Sequence, residues 1–94
     1  MKELKGTPKQ IAWAEKIREE QLESFYRFKE KWIEKRKAEG NQKELDYIEE
    51  LTKKIESLDK AEDWIEIHQR RVVLHRLLVP KRRENEMKYL EGIL

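Results

Sequence analysis

TPKQIAWAEKIREEQLESFYRFKEKWIEKRKAEG, residues 7–40, carries helix punctuation at both ends. Thr7 is placed to cap, Pro8 suits the first helical position, and Gln10 can close a capping box. Gly40 supplies the left-handed residue on which helices commonly end. Between them Ile11, Ala14, Ile17, Leu22, Phe25, Phe28, Trp32 and Ile33 fall on one broad face at about 100° per residue. A helix this long spans roughly 45 Å at about 1.5 Å per residue. That exceeds a compact globule of this size, so the helix must bend, break or project. Arg18, Lys29 and Arg36 lie near the apolar stripe, where their stems should follow it and their charged heads reach water.

Reading onward, Asn41 with Glu44 three residues later opens a second helix. Its seam is Leu45, Ile48, Leu51, Ile55 and Leu58, which predicts an antiparallel hairpin with the first helix across Gly40-Asn41. Asp59-Lys60-Ala61-Glu62 reads as another capping box and starts a third helix. It carries Trp64, Ile65, Ile67, His68, Val72, Leu74, Leu77 and Leu78. From Val72 to Val79 that helix is apolar nearly all round, broken only by His75 and Arg76. Such a segment is covered on several sides, or it covers a second copy of the chain. By composition it could also be a buried strand, but nothing else in the chain offers a partner strand. Pro80 ends or kinks the helix. A short helical pattern then runs through Met87 and Leu90 to Gly92. The expected architecture is all-α: one domain over 1–94, an elongated helical bundle of three long helices plus a short C-terminal helix.

Composition agrees with slender helices. The chain has 94 residues, 45% charged and 37% hydrophobic, with three Trp, three Tyr and two Phe. That is too much aromatic surface for a solvated tail. There is no cysteine, which excludes disulfides and thiol chemistry and fits a reducing, cytoplasmic setting. No apolar run follows Met1-Lys2-Glu3-Leu4-Lys5, so neither a signal peptide nor a membrane span is expected. Charge is uneven: residues 1–38 carry net +4, residues 39–67 net −6, and residues 68–94 net +4. The acidic middle could pair with the basic ends, or the blocks could face different partners.

Catalytic signatures are missing. Ser24 and Ser57 are the only serines, and neither lies in a nucleophile-presenting turn. Gly6, Gly40 and Gly92 are isolated, which leaves no phosphate loop. His68 and His75 lie seven apart, on one face of a continuous helix. That puts them roughly 10 Å apart along the axis, too far for one metal. They read as structural histidines, with a pH-sensitive contact or a partner-binding polar patch as the alternatives. No enzyme activity, cofactor or metal is therefore expected.

Two groups remain as candidate partner-binding residues. Arg70, Arg71, Arg76, Lys81, Arg82 and Arg83 form the densest basic cluster. It could grip an anionic partner, or it could balance the acidic segment and favour a helix C-terminus. No aromatic interleaves it for base stacking. Trp13 stands off the apolar stripe of the first helix, beside Lys9 and Lys16. An aromatic so placed is either packed under a neighbouring element or exposed as a binding anchor.

Two segments carry a resemblance. Gly6-Thr7-Pro8-Lys9-Gln10-Ile11-Ala12-Trp13-Ala14-Glu15-Lys16-Ile17-Arg18 and Ala61-Glu62-Asp63-Trp64-Ile65-Glu66 together resemble a pattern in uncharacterised small helical proteins of Gram-positive bacteria and their phages. That pattern is Gly-Thr/Ser, Lys-Gln-Ile, Trp-Ala and Ile-Arg, then Ala and Trp-Ile, and it covers about a fifth of the chain. The resemblance implies a phage or mobile-element accessory protein, possible anti-CRISPR-type inhibitors of host defence included. The function expected is therefore a non-enzymatic binding protein acting on another protein. The alternative is a nucleic-acid-binding accessory protein using the basic C-terminal cluster. A homodimer through Val72–Val79 would cover that segment, and no membrane partner is expected.

Overall fold

In the computed structural model, which describes residues 2–94, the first helix does not break. α1 runs from Pro8 to Ala38 and forms the long axis of a molecule measuring 45 × 24 × 17 Å. Both halves of the Thr7–Gln10 capping box are made. At the other end Gly40 takes φ 66°, Asn41 N–H donates to Arg36 O at 2.9 Å and Gly40 N–H to Lys37 O at 3.1 Å. This doubly bonded left-handed cap uses carbonyls that would otherwise be left unpaired.

α2, Gln42–Glu56, folds back along α1 with Asn41 capping the Glu44 N–H. Tyr26 OH donates to Glu56 across the pair, each about fifteen residues from the turn, as an antiparallel hairpin requires. Ile48, Leu51 and Ile55 are buried against α1.

The N-terminal arm decides where the third helix starts. Lys5 N–H donates to Asp59 O at 2.7 Å and Ala61 N–H to Lys5 O at 2.8 Å, while Lys5 Nζ pairs with the Asp59 carboxylate at 3.2 Å. With Asp59 so engaged, α3 is Ala61–Gln69, its N-cap is Lys60, and no side chain caps it. The expected Asp59 capping box is thus replaced by arm pairing. Gly6 is required here, because a Cβ on it would meet the Cβ of Ala61 at 3.0 Å, and its φ is 155°.

The expected third long helix is the main correction. α3 stops after nine residues. Arg71 takes φ 58°, Val72 N–H donates to Ile67 O and Arg71 N–H to His68 O, both at 3.0 Å. This is the same left-handed cap that ends α1, made without glycine. The chain continues as a 3₁₀ helix, Leu74–Leu78, and then α4, Pro80–Lys88. The Gln21 amide receives the freed backbone. Its Nε2 donates to Val72 O at 2.8 Å, and its Oε1 accepts from Leu74 N–H at 3.0 Å.

The reason for the break lies in burial. On one straight helix, Val72, Leu74, Leu77 and Leu78 would point in several directions, some into water. Turned along α1, Leu74 and Leu77 are fully buried, and Val72 and Leu78 nearly so. The apolar run is covered inside one chain and needs no second copy to bury it. The core closes around Trp64 and Phe25, both fully buried, with Trp64 Nε1–H donating to Leu58 O at 3.2 Å. Among the described residues the one strand-like feature is the parallel bridge between Lys5 and Lys60. No helix among the described residues is long and apolar enough to cross a membrane.

Candidate functional site

The break at Arg71 scatters the basic cluster. Arg70 is spent on the fold: its Nε bonds the Glu66 carboxylate at 3.0 Å, and its Nη1 donates to the carbonyls of Tyr89 and Glu91 at 3.0 and 3.2 Å. It thereby clasps the end of α4 to the end of α3. Arg83 is tied more tightly. Both Nη atoms reach Glu44, at 2.8 and 3.1 Å, its Nε donates to Leu77 O at 3.1 Å, and its guanidinium lies 3.7 Å from the Tyr47 ring centre. The bond from Arg83 holds the Glu44 carboxyl below the usual range, and burial raises the Tyr47 phenol. Arg83 therefore locks α4 to α2, and part of the acidic middle does pair with the basic end.

Arg76 sits 3.6 Å from Glu86. Arg71 is exposed at the left-handed corner. Lys81 and Arg82 are exposed on the first turn of α4 and make no ion pair among the described residues. The six cations thus become two structural clasps, Arg70 and Arg83, one corner, Arg71, and a group of three, Arg76, Lys81 and Arg82, that still line one recess.

The histidines separate in the same way. His75 stacks on Phe28 with ring centres 4.3 Å apart, and burial, then the nearby Arg76 charge, lowers its pKa below the ordinary value. His68 is exposed at the end of α3 and meets Trp13 edge-on, centres 5.9 Å apart and planes at 74°. Arg36 also departs from expectation. Its side chain is largely covered, lies 4.8 Å from the Trp32 ring centre and bonds Glu39 at 2.7 Å, so its head is not in water.

Trp13 is the largest apolar side chain left in solvent, 44% exposed on a helix that is capped at both ends. Lys9 and Lys16, four residues before and three after, are exposed on the same face. Beside it lies a recess of about 190 Å³ lined by Ile17, Glu20, Gln21, Ser24, His68 and Val73. The arrangement sets a flat aromatic against His68, which itself lines the small recess, with Lys9 and Lys16 on either side of the ring. His68 belongs to this site; the sequence offers it as part of a polar patch with His75, and its contact with Trp13 depends on α3 lying against α1. Among the described residues no three His, Asp or Glu side chains gather to hold a metal ion. No protein-family model, curated protein or solved structure matches the chain.

Proposed function

We propose that the protein is a non-enzymatic binding protein that docks another protein on the α1 face centred on Trp13. Exposure of that tryptophan is the observation that carries the reading. Indole is among the side chains that contribute most at protein interfaces, and it contributes most when a ring of polar contacts excludes water around it. Lys9, Lys16 and His68 supply such a rim here. The matching partner surface is an apolar pocket edged by carboxylates. The resemblance to small proteins of Gram-positive bacteria and their phages supports a cytoplasmic accessory role, with inhibition of a host-defence complex of the anti-CRISPR-inhibitor type as its specific form.

The test is comparative capture from a Gram-positive host lysate by immobilised wild-type chain and by Trp13→Ala. A partner protein retained by the wild type should bind Trp13→Ala at least 30-fold more weakly, about 2 kcal/mol. Lys9→Glu with Lys16→Glu should weaken it further, whereas Lys81→Ala with Arg82→Ala should keep it. Equal affinity of the wild type and a folded Trp13→Ala chain contradicts the reading.

A further inference from the structure

α1 carries a second set of free cations that the C-terminal cluster conceals from a reading of the sequence. Arg27, Lys31 and Lys35 are exposed and spaced by four, a row stepping about 6 Å along the axis. None makes an ion pair among the described residues. Glu23, Glu30 and Glu34 fall on the flank of α1 away from the 3₁₀ helix, at about 100° per residue. On the near flank Phe28 stacks on His75, which brings Arg76 beside the row. Arg27 and Arg76 adjoin the stacked Phe28 and His75 in sequence; burial lowers the His75 pKa, the charges of Arg76 and Arg27 lower it further, and Glu86 opposes them. Beyond, Arg76, Lys81, Arg82 and Lys88 line one open polar recess on α4 together with Asn85, Glu84 and Glu86, the last paired with Arg76 at 3.6 Å. Glu44 ties the two ends together by meeting both Arg83, at 2.8 Å, and Arg36, at 4.0 Å.

We propose that Arg27, Lys31 and Lys35, with Arg76, Lys81 and Arg82, form one basic band that binds the phosphate backbone of duplex DNA. Charge complementarity and the rigid row argue for a backbone ligand. The state of the aromatics argues for a duplex over a single strand. Phe28 lies between His75 and Lys31, and Lys35 and Arg36 both approach the Trp32 ring, at 5.1 and 4.8 Å. These rings are already engaged, and unstacked bases need free ring faces. The band is independent of the Trp13 reading, since Lys31 lies eighteen residues, about 27 Å, further along α1.

Fluorescence anisotropy with a labelled 20-base-pair duplex tests this. The wild type should bind at 50 mM salt and lose roughly 10²- to 10³-fold in affinity by 200 mM, as about five neutralised phosphates require. Arg27→Glu with Lys31→Glu and Lys81→Glu should remove binding. Lys43→Glu with Lys54→Glu and Lys60→Glu, which change net charge equally elsewhere, should retain most of it, and Trp13→Ala should retain all of it. Circular dichroism checks that each variant is folded; if the triple band variant is not, the three Gln replacements take its place and should weaken binding at least tenfold. The proposal is overturned by absence of duplex binding at 50 mM salt or by salt-insensitive binding. It is likewise overturned by equal losses in the two charge-reversed variants or by tighter binding to a single strand of the same length.

Discussion

Trp64→Ala should remove about 3–5 kcal/mol of stability, the cost of emptying a large buried aromatic site that the backbone cannot refill. Trp64 is fully buried, its indole N–H is bonded to Leu58 O, and it sits where α3 meets α1 and the α2–α3 connection. Domains of this size have total stabilities on the order of 5–15 kcal/mol, so the variant should be close to unfolded at 37 °C. Its midpoint in a thermal melt followed by circular dichroism should fall by roughly 15–35 °C. Trp13→Ala is the internal comparison: its ring is 44% exposed and its loss should cost about 1 kcal/mol or less. A Trp64→Ala loss below about 1 kcal/mol would contradict the core described above.

Arg83→Ala should be the most destabilising change in the basic cluster, by about 2–3 kcal/mol. It strips Glu44 of a doubly bonded partner, leaves Leu77 O without its side-chain donor, and uncovers Tyr47. Removing one partner of a fully buried pair costs about 3–5 kcal/mol. The side chains of Arg83 and Glu44 keep 21% and 18% exposure, so water recovers part of that. The neighbours Lys81 and Arg82 should each change stability by less than about 0.5 kcal/mol on replacement by Ala, because nothing in the fold depends on their charge. Chemical denaturation of the three single variants measures the contrast. Equal, small effects would mean that Arg83 is as free as its neighbours.

That contrast shows what could be read in the sequence and what could not. α1 and α2 were legible because their ends carry local chemistry: a Thr-Pro start with a capping box, a glycine stop and an Asn start. The end of α3 was not. Its left-handed residue is Arg71, and no glycine marks it. The available clue was the apolar character of Val72–Val79 on every side, which argued for cover but not for a turn. A continuous helix sets His68 and His75 on one face and gathers the six basic residues in one patch. The break separates His68 from His75, whereas Arg76, Lys81 and Arg82 keep a common recess. The Trp13 surface was half legible: its position off the apolar stripe was visible, whereas its contact with His68 required the packing of α3 on α1. The row Arg27, Lys31 and Lys35 has a signal in its spacing of four, but it lies on a helix that also carries Glu23, Glu30 and Glu34, and only the packing of the 3₁₀ helix on α1 distinguishes its flank.

Much of the account therefore rests on the turn at Arg71, and a pair of substitutions there tests it directly. The Arg71 side chain is exposed and makes no ion pair among the described residues, so backbone preference dominates the outcome. Left-handed backbone costs a residue with a Cβ about 1 kcal/mol and costs glycine almost nothing. Inside a helix the order reverses, with Gly about 1 kcal/mol worse than Ala. The measurement is the difference in unfolding free energy between Arg71→Gly and Arg71→Ala. The structure predicts that the Gly variant is the more stable of the two by about 1 kcal/mol. A Gly variant less stable than the Ala variant by the same amount would show an uninterrupted helix through Arg71 and contradict the fold, the dispersal of the basic cluster and the surfaces drawn from it.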